Sequence, residues 1–271
     1  MPLHTREQLA ADFRSLGVSP GSTIMLHASV RAVGPIAGGA DLIHLALKDA
    51  LTDEGTLFMY AGCPQFFDEV GRGNLGPEEE ADILEKLPAF DPLTARSDRS
   101  NGALVEMLRT WPDSKVNSHV TRFVAWGAKA DYLLEPTPWD YACGRGSIFE
   151  RFLDLEGRIL LLGSDHDNVT FLHYAEHIVD VPDKRVVKAK VPVLENGTRV
   201  WREFAEFDTS NGAHRCFSGN FFAEIVDEFL GLSGAASRKV GDAVSWLLPA
   251  DQLLDHALRV MKLRAAGVTR I

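Results

Sequence analysis

Residues 5–17 carry an amphipathic helical pattern, opened by Thr5 as an N-cap and closed by Gly17. Gly21 and Ser22 then lead into Thr23-Ile24-Met25-Leu26-His27, a short run with the composition of a buried strand. A loop over Ala28–Gly39 holds Gly34, Pro35, Gly38 and Gly39. From Asp41 the apolar residues Leu42, Ile43, Ala46, Leu47 and Ala50 return to helical spacing, Gly55 ends the segment, and Thr56–Ala61 reads as a second strand. Such a strand-loop-helix-strand unit predicts parallel pairing with a right-handed crossover.

The stretch 62–100 has no clear period and carries Gly71, Gly73, Gly76, Pro77, Pro88 and Pro92, so it reads as a long loop. A loop of that length inside a folded protein is more often functional than idle. Helical pattern resumes at 102–110, near 128–135 and at 147–154, with strand pattern at 119–126 and a strong buried strand at Arg158–Leu162. After Gly163 a helix is expected from Asn168 to Val179. The alternating runs Val186–Leu194 and Arg199–Phe207 flank Glu195-Asn196-Gly197-Thr198, a hairpin signal, and helices follow near 219–230 and 250–265. The expected fold is α/β, with a mixed, largely parallel central sheet flanked by helices and an added antiparallel hairpin. No repeat or linker divides residues 1–271, which predicts one domain.

Composition narrows the function classes. Hydrophobic residues are 45% and charged residues 24% of 271, which is ordinary for a folded protein. Acidic residues number 38 against 28 basic ones, a formal net charge of −10. That balance argues against nucleic acid or an anionic membrane as partner, because phosphates reward clustered Lys and Arg, and it leaves open a cationic ligand. The cysteines Cys63, Cys143 and Cys216 are widely spaced without a CxxC, so no disulfide framework is expected and a reducing cytoplasm is the natural compartment. The N-terminal residues lack an apolar signal-like run, and no stretch approaches the roughly 20 apolar residues of a membrane span.

Candidate chemistry concentrates after the strand at 158–162. On a helix, His173, Glu176, His177 and Asp180 fall at i, i+3, i+4 and i+7 on one face. A carboxylate at i+3 can accept from one imidazole nitrogen, fix the tautomer and make the other nitrogen a better base. The alternative is a solvated polar stripe. The same residues spell His-x-x-Glu-His, so a zinc hydrolase with Glu176 as base is a further alternative, although no third ligand stands out. His27 ends the first strand, where open α/β sheets place their sites, or it is a core histidine satisfied by backbone. The loop after it could offer backbone N–H groups and Arg31 to a phosphate, but it matches neither a P-loop nor a dinucleotide fingerprint. No G-x-S-x-G elbow occurs, and the cysteines lack an activating motif.

The run LHASVRAVGPIAGGAD, the segment LLLGSDHDNVTFLHYAEH, the later VPDKR and the SNGAHRCF stretch together resemble the aminoglycoside 3-N-acetyltransferases of the antibiotic N-acetyltransferase family, over about residues 5–265. The resemblance implies a fold distinct from the GNAT acetyltransferases, acetyl-CoA as co-substrate with no metal, and the 3-amino group of a deoxystreptamine ring as acceptor. It casts His173 as the catalytic histidine, Glu176 as its supporting carboxylate and His27 as a histidine close to the thioester. Ser29, Val30, Arg31, Gly34 and Gly38 match the loop that cradles coenzyme A, and His119 is what remains of a further coenzyme A segment, here Val116-Asn117-Ser118-His119-Val120. Asp208 and Asn211 fall in the acceptor region, to which Asp167 and Tyr60 are added. Two more departures are Gly146-Ser147-Ile148, where many relatives have Gly-Ser-Pro, and Arg215, where relatives often carry an acid. A related acyltransferase acting on another amine remains an alternative. The acids of 62–100, among them Asp68 and Glu69, would form a rim that draws in a polycationic aminoglycoside, or serve solubility alone.

Overall fold

A computed structural model describes residues 3–65, 67, 70–72, 75–208, 214 and 221–268. Helix α1 (Arg6–Leu16) starts where the Thr5 hydroxyl accepts the Gln8 amide and stops at Gly17, whose φ of 112° is left-handed. Strand β1 (Thr23–Ala28), α3 (Asp41–Leu51) and β2 (Thr56–Tyr60) follow as the pattern predicts, β1 and β2 pair in parallel, and the stretch read as a loop after β1 holds a short helix, α2 (Val30–Val33). Within 62–100 the chain forms a helix that the pattern did not announce, α4 (Pro77–Lys86). Its start is favoured by Pro77 in the first turn and by Glu78, Glu79 and Glu80 against the helix dipole, yet none of its residues is buried, so it shows no core-facing stripe.

Next come α5 (Ala103–Arg109), β3 (Lys115–Val116), β4 (Phe123–Gly127), α6 (Ala130–Leu133), α7 (Ile148–Asp154) and β5 (Arg158–Leu162). Helix α8 (Leu172–Ile178) is shorter than its predicted span, because a 3₁₀ turn at His166–Asn168 precedes it and Val179 is extended. The hairpin of β6 (Val186–Glu195) and β7 (Thr198–Phe207) turns on Asn196 and Gly197, both at positive φ, as an Asn-Gly turn requires. The chain continues through α9 (Phe221–Ser233), β8 (Arg238–Val240), β9 (Ala243–Pro249) and α10 (Ala250–Ala265).

The main sheet has seven strands in the order β3-β4-β2-β1-β5-β9-β8. It is mixed: the central β2, β1 and β5 run parallel, and antiparallel strands extend it on both sides. Alternation along the central strands sorts their side chains into two layers. Ile24, Leu26, Leu57, Met59, Leu160 and Leu162 belong to one core cluster with α1, α3 and α5, while Met25, Phe58, Ile159 and Leu161 belong to another with α7 to α10. A third cluster lies outside the sheet, where Phe67, Leu87, Phe90 and Val120 pack on the hairpin residues Ala189, Val191, Val193 and Phe204. Phe90 also hydrogen-bonds β6 through Pro192 O at 2.7 Å and the Leu194 amide at 2.8 Å.

One core position is electrostatically costly. Lys48 of α3 is buried, its Nζ has no hydrogen-bond partner, and it lies over the Trp126 and Trp111 rings at 4.5 and 5.5 Å. Burial pushes its ammonium down to about 8, against the opposing charge of Asp113. Lys48→Met should therefore raise stability at pH 7 by about 1 kcal/mol, or roughly 2–4 °C in Tm. Because the folded value lies below the ordinary 10.5, raising the pH from about 8 relieves the parent's deficit. The difference between parent and variant should thus close toward pH 10.5 in thermal scans. An unchanged difference across that range would exclude the ammonium as its cause.

Candidate active site

The site forms where the parallel strands end. Period-2 alternation from Met25 and Phe58 puts His27, near the end of β1, and Tyr60, the last residue of β2, on the α7–α10 side of the sheet. Helix α8 crosses there and brings His173 to the same cleft, a cavity of about 400 Å³. His27, Tyr60, Asp167, His173, His177 and Glu206 all contribute to its wall.

His173 and Glu176 meet as helical spacing requires: Nδ1 lies 2.7 Å from Oε2. Glu176 is fully buried, whereas the His173 side chain keeps 29% of its surface exposed. A carboxylate oxygen accepts, so Nδ1 carries the proton and Nε2 keeps a lone pair for the cleft. The edge of the imidazole rests near Phe222, with ring centroids 5.0 Å apart. His27 is different in kind. Its Nε2 is buried without a hydrogen-bond partner, and burial pushes it down to about 4. It is therefore neutral near pH 7 and suited to donating or accepting one hydrogen bond, not to storing a proton.

The polar face predicted for this helix is not a solvated stripe, since Glu176 and His177 are both buried. Asp180 lies beyond the helix end. His177 Nδ1 is 2.6 Å from the His173 carbonyl, and its Nε2 contacts Glu206 Oε1 on β7. With both nitrogens occupied, His177 cannot join His173 on a metal, so the zinc-hydrolase alternative finds no ligand pair here. The Lys184 ammonium donates to His177 O at 2.7 Å and sits 4.7 Å from the Phe207 ring centre. Arg185 pairs with Asp208 at 3.2 Å. The Val-Pro-Asp-Lys-Arg stretch thereby ties the end of α8 to the hairpin.

The structure distributes the other expected residues unevenly. Ser29 anchors its amide on Leu162 O at 2.9 Å, and Val30 and Arg31 open α2, with Arg31 exposed. Gly34 has φ of 88°, and a Cβ there would come within 2.3 Å of Asp242, so only glycine fits that bend. Gly38 is likewise at positive φ. The cleft wall includes Ala28, from which this loop departs. His119 does not stand ready for a ligand: it is buried, Nδ1 accepts the Thr121 amide at 2.9 Å, and Nε2 faces Trp139 O at 3.4 Å. Its ring packs 4.5 Å from that of Trp139. Both ring nitrogens thus face partners within the protein, and the bond to Thr121 holds that residue on the cleft wall. Asp167 lines the cleft and accepts the Ala223 amide at 3.4 Å, while Asp208 closes β7 outside the wall. Asp68, Glu69 and Asn211 lie outside the described residues, as do Arg215 and Cys216.

Sequence reasoning missed Glu206, His177 as a wall residue, and the Ser100-Asn101-Gly102 turn that completes the cleft. A Ser-Asn-Gly run is a turn signal, and Asp98 capping the Ser100 amide at 2.7 Å strengthens it. Nothing local marks Glu206. Cys143, also on the wall, is kept a thiol by burial and by the nearby Glu206 and Glu176 carboxylates, which push it well up.

A family model described as aminoglycoside 3-N-acetyltransferase matches residues 25–262. The chain belongs to that family. It is 38% identical over 266 residues to aminoglycoside N(3)-acetyltransferase III of Pseudomonas aeruginosa, covering 96% of this chain and 94% of that one. It is 35% identical over 269 residues to aminoglycoside N(3)-acetyltransferase VII of Streptomyces paromomycinus, covering 95% and 91%. Among solved structures, AAC-IIIb in a binary complex with CoASH superposes with a TM-score of 0.90 at 34% identity, covering 97% of this chain and 98% of that one. AAC-VIa bound to sisomicin gives 0.90 at 31% identity, covering 97% and 99%. The α/β fold expected from the family resemblance is thus the fold of these acetyltransferases. Among the described residues, no helix of this family member is long and apolar enough to cross a membrane.

Proposed function

We propose that this acetyltransferase moves the acetyl group of acetyl-CoA to the 3-amino group of the deoxystreptamine ring of an aminoglycoside, within a ternary complex and without an acyl-enzyme. The observation that carries the reading is the His173–Glu176 pair, set at the wall of an open cleft with a neutral His27 whose Nε2 has no partner. The relatives solved with CoASH and with sisomicin support both halves of the substrate pair.

An aminoglycoside amine is largely protonated near neutral pH and cannot attack as an ammonium ion. His173 Nε2 takes that proton, and Glu176 stabilises the resulting imidazolium through Nδ1. The freed amine forms the C–N bond at the thioester carbonyl, and the C–S bond breaks to release coenzyme A as thiolate. His27 suits the carbonyl oxygen as negative charge builds there, because a buried N–H donor without another partner needs no reorganisation. Ser29–Gly38, with Arg31, would hold the phosphate end of coenzyme A through backbone amides and one guanidinium. Tyr60, Asp167 and Asp208, with Asp68, Glu69 and Asn211, would receive the ammonium groups of the acceptor. We place the reaction in the cytoplasm, where acetyl-CoA is made.

Thiol release from acetyl-CoA tests this directly. Gentamicin or apramycin should stimulate it, and a simple alkylamine should not. Stimulation by the simple amine with no response to either drug would transfer the chain to the alternative, an acyltransferase for another amine.

A further inference from the structure

The buried pair His177 and Glu206 in the cleft wall has its hydrogen positions constrained by its partners. His177 Nδ1 faces a carbonyl oxygen, which can only accept, so that nitrogen carries a proton. Its Nε2 faces Glu206 Oε1, while Oε1 also accepts the Phe207 amide at 3.0 Å and Oε2 accepts the Ala142 amide at 2.9 Å. Both carboxylate oxygens thus already act as acceptors, the arrangement of an ionised group. Placing the hydrogen between the partners on Nε2 leaves both carboxylate oxygens as pure acceptors and gives the ring two N–H groups.

The surroundings agree. On its own helix His177 lies in the last turn, where the dipole favours a cation, with Glu176 adjacent. From β7 it meets Glu206 and the Phe207 ring, 5.1 Å away. From the 141–144 turn it meets the backbone at Gly144, and the neutral Cys143 thiol lies on the same cleft wall. From the 181–185 segment the Lys184 ammonium points at the His177 carbonyl, with Asp180 and Glu176 offsetting its charge. The carboxylates Glu206, Glu176 and Asp180 thus stand against the cations Lys184 and Arg72, the latter on the same cleft wall and near enough for its charge to act on Cys143.

We propose that His177 is a positioning residue held as an imidazolium, locking the His173 turn to β7 and keeping a fixed positive charge beneath the catalytic base. The lock fixes where His173 stands, since the bond is made to its own carbonyl. The charge disfavours a second one on the His173 ring, so the base is kept unprotonated and ready. This second role rests on the acetyl-transfer reading; the protonation state does not.

Two measurements decide it. In 15N-histidine-labelled protein at pH 8, where an ordinary histidine near 6.5 is neutral, His177 should show protons on both Nδ1 and Nε2. Its signals are assigned by their loss in His177→Gln, and Glu206→Gln should reduce them to the Nδ1 proton alone. A single ring proton on His177 in the parent at pH 8 would overturn the proposal, whatever the enzyme's substrate. In steady-state assays His177→Gln should lower kcat about 10–100-fold with the KM for acetyl-CoA within about threefold. Its acid limb of kcat against pH should also move to higher pH, because the Glu206 carboxylate is left uncompensated near His173. A fall in kcat with an unmoved acid limb would reduce His177 to a merely structural part and reject the role of its charge.

Discussion

His173→Ala should lower kcat for acetyl transfer by about 10²–10⁴-fold, the usual worth of a general base. The KM values for both substrates should change far less. The side chain is small and partly exposed, so its loss opens no core cavity, and Phe222 keeps its place in α9. Glu176→Gln should cost a similar factor for a separate reason. A Gln amide N–H offered to Nδ1 would favour the tautomer with the proton on Nε2, which leaves no lone pair for the ammonium. Both variants are read in the same thiol-release assay with circular dichroism as a folding control. A kcat within a few-fold of the parent for a folded His173→Ala would remove this residue from the chemistry.

The second large effect is on stability. Arg122 is fully buried, and its guanidinium donates to four backbone carbonyls. Nε reaches Gly62 at 3.0 Å, Nη1 reaches Pro92 and Ala95 at 2.7 Å each, and Nη2 reaches Arg96 at 2.8 Å. One planar fork thereby gathers both ends of the segment that reads as a loop in the sequence. Arg122→Met takes the donor from a buried carbonyl at Gly62 and from three partly buried ones, and should destabilise by about 3–5 kcal/mol. For a chain of this size that is a fall of about 10 °C in Tm. Arg122→Lys should recover little, since an ammonium lacks the fork. Chemical denaturation with matched m-values provides the check, and a loss below about 1 kcal/mol would exclude the clamp.

What the sequence makes legible here is what is decided locally. Thr5 and Gly17 bracket α1, Asn196-Gly197 turns the hairpin, and His173 finds Glu176 because three residues make nearly one helical turn. Longer reach defeats pattern reading. Glu206 and His177 are separated by 29 positions and meet only because β7 returns beside α8. Arg122 looks like any surface arginine until its four carbonyls are seen. Asp180 shares the helical phase of His173, yet the backbone leaves the helix at Val179, near Pro182 and the conformational restriction it imposes. Helix α4 lacks a buried face, so charge and a leading proline were its only signals. Strand β8 at the sheet edge joins β9 through Gly241-Asp242, a two-residue turn signal, but a strand of three residues is too short to show an alternating run beside it.

A lone two-stranded ribbon is an invitation to pair with another chain, because each outer edge presents free amides and carbonyls. Neither edge is left bare here. Phe90 occupies one at Pro192 and Leu194, and Asp140 and Tyr141 occupy the other at Ala205. The hydrogen bonds that seat these loops against the hairpin also deny a template to neighbouring molecules. Loosening them should show itself as self-association of the protein as well as lost turnover.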